Sequence, residues 1–251
     1  SFSDSGYLPS NYAPQFGQDI SYAYKREAPK GHSVGKTVSE LVPKMKKLLD
    51  VFSDGDNSGM AKRLFVQYMD KQSQVKHFSD YSLNLAASRH ANIKEFCSRA
   101  LSGPNSPQKT MGKTRIHQAL KNANWDITKL VIPTDLGVPA FNLGSKFFTT
   151  QDFDNGLGVM INGVQHAYVI ATHYYYDQPN AEYHIKLKFV FYDVFGLDDD
   201  DLNEYGEKSD SIIGSTAGIG ITAWWQLQHQ HAYAPLVTRI VLERQYKVPA
   251  I

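Results

Sequence analysis

Five carboxylates fall within nine residues in the stretch Phe191-Tyr192-Asp193-Val194-Phe195-Gly196-Leu197-Asp198-Asp199-Asp200-Asp201-Leu202. Held together, such groups repel one another unless they are solvated, protonated or neutralised by a cation. Asp198 and Asp201 are three positions apart, so a helical turn starting at Asp198 puts them on one face. There they could hold a hard divalent cation such as Mg²⁺ or Ca²⁺ through oxygen. Like charge held that close also raises a carboxyl pKa and makes an acid of it. The competing reading is an acidic helix start, with Asp198 as cap and Asp199, Asp200 and Asp201 complementing the helix dipole. Asp193 differs, because it ends an apolar strand just before Phe195-Gly196 and is expected to face a cleft.

Other candidates lie beyond this segment. His229, on a C-terminal aromatic helix with Trp224 and Trp225, can act as general acid to a leaving group. Tyr192, Thr172, Gln228 and Arg239 are the candidates for substrate contacts. The proposed catalytic set is thus Asp193, Asp198, Asp201 and His229, with Asp198 and Asp201 as metal ligands and Asp193 activating water.

These residues must be positioned by two kinds of element. The first kind is helical. Thr37 and Glu40 have capping-box spacing, and Val38, Leu41, Val42, Met45, Leu48, Leu49 and Phe52 then recur at helical intervals. Met60, Leu64, Phe65, Tyr68 and Met69 give a second helix. Asp80 to Leu101 contains one or two more, with His90 as a hydrogen-bonded helix histidine, and Met111 to Leu120 gives another. Ser53-Asp54-Gly55-Asp56-Asn57-Ser58-Gly59 resembles the start of a calcium loop, but Phe65 stands where the bidentate Glu is required, so it reads as an interhelix loop.

After Pro133 the period changes to two. Leu157 to Ile161, Asn162-Gly163 and Val164 onward predict a hairpin with a type I′ turn. Its second strand carries Tyr168, Ile170, Thr172 and Tyr174 on one face and His173 on the other. Asp177-Gln178-Pro179-Asn180 is a turn. Tyr183, Ile185, Leu187, Phe189 and Phe191 alternate with His184, Lys186, Lys188 and Tyr192, leaving Val190 as a mismatch on the polar face. Glu204 to Asp210 reads as a loop. Gly214-Ser215-Thr216-Ala217-Gly218 has Thr where a nucleophile elbow needs Ser, so it reads as the way into a helix. That helix runs from Ile219 to Tyr233, and a last strand runs from Leu236 to Tyr246. The fold class is α+β: an extended arm over 1–35, a helical region over 36–132, and an antiparallel β-rich region with one packed helix over 133–251, the last two forming one compact domain.

Composition limits the function. The 26 basic and 25 acidic residues nearly cancel, so no basic surplus points to nucleic acid. The single cysteine, Cys97, excludes an intrachain disulfide framework. No apolar run approaches the roughly 20 residues of a membrane span, and the N-terminal residues lack a signal-peptide pattern.

Phe191 to Asp198 with Asp201, then Trp225-Gln226-Leu227-Gln228-His229 with Tyr233, Pro235 and Thr238, resembles the signature of an enterobacterial family of domains of unknown function, number thirty-two eighty-nine. Phe78-Ser79-Asp80 with Leu83 and His90, and Ala171-Thr172, look like further pieces, and the resemblance spans roughly residues 40–245. It implies a secreted effector or the cargo of a polymorphic toxin system such as type VI secretion, exported without a cleaved signal. The layout around Tyr192-Asp193 is also similar to the colicin M catalytic domain, whose members cleave the lipid-linked peptidoglycan precursor with Mg²⁺. Here Val190 replaces their Asp before the Tyr, and Asp199-Asp200 stand at their His-Arg pair.

Together these readings predict a monomeric antibacterial effector hydrolysing lipid II in the periplasm of a target cell, with an immunity protein as a possible partner. The rivals are a membrane-active or receptor-binding toxin module without enzymatic activity, and a structural adaptor of a secretion system.

Overall fold

The structure, a computed structural model, describes residues 27, 29, 36–51, 53, 57–73, 77–100, 111–130, 139–141, 157–161, 163–207 and 216–250. The expected N-terminal arm (apart from residues 27 and 29), Phe52, the Asp54–Asp56 part of the calcium-like loop, the break at Gly103–Pro107, Asn162 and Gly214-Ser215 lie outside these residues.

The elements in order are α1 (Val38–Val51), α2 (Ser58–Met69), β1 (His77–Ser79), α3 (Tyr81–Arg89), α4 (Ala91–Arg99), α5 (Met111–Asn122), a 3₁₀ turn (Ile127–Lys129), α6 (Leu157–Met160), β2 (His166–Asp177), β3 (Glu182–Phe195), α7 (Asp199–Tyr205), α8 (Thr216–His231) and β4 (Leu236–Pro249). The architecture is α+β: helices first, then a four-stranded mixed sheet of order β1-β4-β3-β2, with α8 packed into it. β3 lies between β2 and β4 and pairs antiparallel with both, and β1 adds a short parallel edge to β4. Among the described residues no helix is long and apolar enough to cross a membrane.

α1 starts as its spacing predicts, with one change. The Glu40 carboxylate accepts from the Thr37 amide (2.7 Å), but the Thr37 hydroxyl donates to that same carboxylate (2.9 Å). Its apolar stripe buries Leu41, Met45, Leu48 and Leu49. α8 rests against α1 so closely that a Cβ on Gly220 would lie 2.5 Å from Leu48 Cβ. Only hydrogen allows that approach. α8 is buried almost all round, including Trp224, Trp225, Gln226, Gln228 and His229, as a helix between two layers must be. At its C-terminal end Lys71 donates to the His231 carbonyl (2.6 Å), placing a cation where the dipole is negative.

The sheet has one core face. β3 sends Tyr183, Ile185, Leu187, Phe189, Phe191 and Phe195 into it, and Phe96 meets Phe189 and Phe191 edge-on. Leu236, Thr238, Ile240 and Leu242 of β4 are buried alongside, as their alternation predicts.

Four expectations change. The hairpin at Asn162-Gly163 does not form: Leu157–Met160 is a helical turn, and Gly163 bridges Ala140 instead. Leu157, Met160 and Ile161 are all buried, and a short fully apolar run carries no period to separate strand from helix. In β2 the register shifts between Ala171 and His173, so Thr172 is a bulge. Tyr168 and Ile170 therefore lie on one face and Tyr174 on the other, because one extra residue inverts the alternation. Val190 is fully buried with Ile170, Tyr192 and Val237 in a small cluster on the second face, so that face is dry at this end. Finally, Glu204 and Tyr205 belong to α7, not to a loop.

Candidate functional site

The predicted residues divide between two places. Asp193 follows the core-facing parity of β3 and pairs across the sheet with Thr238, itself fully buried. The chain leaves β3 at Phe195, crosses α8 at Leu197 and begins α7 at Asp199. Leu197 is held at this crossing by backbone bonds to α8. Its amide donates to Gln228 Oε1 (2.9 Å), and its carbonyl accepts from Gln228 Nε2 (3.0 Å) and His229 Nε2 (2.8 Å). The last bond requires the proton on Nε2, and the His229 ring lies against Trp225 (4.7 Å). Both side chains have no exposed surface. Their first effect is to satisfy backbone groups that burial would otherwise orphan.

Asp198 and Asp201 form a reciprocal capping box. The Asp201 amide donates to Asp198 Oδ1 (2.8 Å), and the Asp198 amide donates to Asp201 Oδ2 (3.0 Å). Asp199 accepts from Trp225 Nε1 (3.2 Å), which ties the new helix to α8.

Burial sets the electrostatics here. Asp193 is 8% exposed, and loss of hydration pushes its carboxyl up to about 7. The Val194 amide pulls it back, and the charge of Asp201 raises it further. Asp201 is raised too, first by burial and then by Asp198 and Asp200, against the opposing bond from the Asp198 amide. Burial is thus the leading cause at both carboxyls, and each is raised toward neutrality.

The remaining candidates lie elsewhere. Tyr192 and Arg239 are cross-strand partners on the second face of the sheet, opposite to Asp193. Tyr192 packs edge-on against Tyr168. The Thr172 hydroxyl donates to the Lys186 carbonyl (3.4 Å) at the bulge. His90 caps α4, accepting from the Asn92 amide (3.1 Å), and packs on Phe141, as a structural helix histidine does.

The acidic segment suits Mg²⁺ poorly. One oxygen of each of Asp198 and Asp201 is committed to a backbone amide, and Asp193, Asp198 and Asp201 do not converge as a three-ligand group. Among the described residues the side chains that do converge are Asp177, Glu182 and His184, at the far end of β3. Sequence reading passed over them as a turn and a polar strand face. The signal was the i, i+2 spacing of Glu182 and His184, opposite Asp177 across a four-residue connection.

Compared with known proteins, the chain matches no family model, no curated protein and no solved structure.

Proposed function

We propose that the chain is a hydrolytic effector domain in which Asp193 moves the proton of the reaction and Asp201 tunes it. The observation that carries this reading is Asp193 itself: a carboxyl at a strand end, nearly buried, held near neutral pKa beside a second raised carboxyl. A group of that proton affinity is a general acid or base at pH 7. His229 and Gln228 act as positioning residues, since they fix the Leu197 crossing that sets Asp193 relative to α7. No step is routed through a metal, because the capping box commits one oxygen of each of Asp198 and Asp201 to a backbone amide. The substrate proposed is the lipid-linked peptidoglycan precursor in the periplasm of a target cell, supported by the layout similarity to colicin M. The test is expression directed separately to cytoplasm and periplasm, with parent and Asp193→Asn chains. Lysis is expected from the periplasmic parent alone. A periplasmic Asp193→Asn chain that lyses cells as fast as the parent removes Asp193 from the chemistry.

A second reading has its own observation. Tyr175 and Tyr176 are about half exposed at the end of the β2–β3 hairpin, a pair of amphipathic rings suited to a membrane interface. Dye release from anionic liposomes that is abolished by Tyr175→Ser with Tyr176→Ser, and indifferent to Asp193→Asn, would favour a non-enzymatic toxin.

A further inference from the structure

The hairpin end of β3 brings together three side chains that the hydrolytic reading leaves unused. Asp177 and Glu182 are paired directly across the β2–β3 ladder. Like charges at such a pair destabilise a sheet unless a cation lies between them. His184, two residues along β3 from Glu182, sends Nε2 toward both. That nitrogen is 3.1 Å from Glu182 Oε1 and 3.4 Å from Asp177 Oδ2. All three ligand atoms lie within 4.8 Å of one another.

We infer that Asp177, Glu182 and His184 form a binding site for a divalent transition metal of the zinc class. Two of the ligand separations, 3.4 and 3.1 Å, are close to the roughly 3.3–3.6 Å that bonds of about 2.0–2.2 Å give in a tetrahedral site. The ligand types agree as well. An imidazole nitrogen with two carboxylates suits zinc-class ions, whereas Mg²⁺ seeks oxygen and keeps its water. Three protein ligands leave a fourth position open.

The surroundings hold the ligands in place. Asn180 Nδ2 donates to Asp177 Oδ2 (2.8 Å), the oxygen that faces His184, and orients it from outside the cluster. Tyr175 stacks on the His184 ring at 4.5 Å and 18°, fixing its plane. His184 also lines a concave groove of about 240 Å³ with His173, Lys186 and Lys247.

Without metal, the same three groups form a hydrogen-bonded cluster around His184. A metal replaces the proton on Nε2, so the two states compete and can be told apart. The experiment is calorimetric titration of the chelator-treated full chain with zinc chloride, then with magnesium chloride. One zinc ion per chain and no saturable magnesium uptake are expected. His184→Ala abolishes that uptake, Glu182→Gln weakens it at least as much as any outer substitution, and Asn180→Ala weakens it about tenfold. Glu182→Gln preserves size and shape, so its result stands if His184→Ala folds poorly. Zinc uptake equal in parent, His184→Ala and Glu182→Gln assigns the ion to other histidines and overturns the site. So does the absence of saturable uptake in the parent. Neither result bears on Asp193, which lies at the other end of the strand.

Discussion

At the C-terminal end of β3, Asp193, Asp198 and Asp201 are folded into the protein: burial and backbone amides decide their state. At the N-terminal end, Asp177 of β2 and Glu182 and His184 of β3 share the sheet's other face and remain partly exposed. Both ends gather carboxylates around β3. The interior end converts them into helix capping and raised proton affinity, and the outer end leaves its carboxylates facing solvent around His184. Access to water, more than the number of carboxylates, separates the two.

The contrast is broken most directly at Asp193. Its raised pKa means the folded chain holds a proton that the unfolded chain releases near pH 4. The sign follows: this group lowers stability as pH rises from about 4 to about 7, and its full burial cost is present above 7. Between pH 5 and pH 8 the parent should therefore lose on the order of 2–3 kcal/mol that Asp193→Asn does not lose. Urea unfolding of both chains at the two pH values measures this. Parallel pH profiles would mean that Asp193 stays charged in the fold.

Gln228 gives the next largest effect. Gln228→Leu keeps the volume but leaves the Leu197 amide buried without its partner, while His229 still serves the carbonyl. A loss of about 2 kcal/mol is expected by chemical denaturation. A negligible loss would show that the Leu197 crossing is not held from α8.

Glu182→Gln should do least. In the presence of chelator, the unfolding free energy is expected to change by no more than about 0.5 kcal/mol, because partly exposed polar pairs contribute little. A change as large as that of Gln228→Leu would erase the distinction between the two ends.

Much of this was legible in residue order. The period of two in β3 and the caps and stripes of the early helices are local patterns, and they place Asp193 on a strand and α1 on the core. The acidic helix start was legible as one of two readings, since Asp198 and Asp201 sit at capping distance. The bulge at Thr172 was not, because nothing in Ala171-Thr172-His173 marks an extra residue until β3 fixes the register. Nor was the partner of Gly163: its turn chemistry was favourable, but Leu157–Ile161 gained more from burial as a helical turn. The effect of the Asp201 charge on Asp193 depends on where α7 lands, and the gathering of Asp177, Glu182 and His184 on which face the hairpin presents. Both are tertiary facts.

The close seating of α8 on α1 at Gly220 and Leu48 also concerns the chain as it is made. α1 leaves the ribosome well before the helix that covers it. At about 5–20 residues per second, Leu48 waits on the order of ten seconds or more for Gly220. During that wait α2 covers part of its apolar stripe, but the part that α8 buries has no native cover. Synthesis of this protein should therefore depend on the supply of chaperones until α8 is in place.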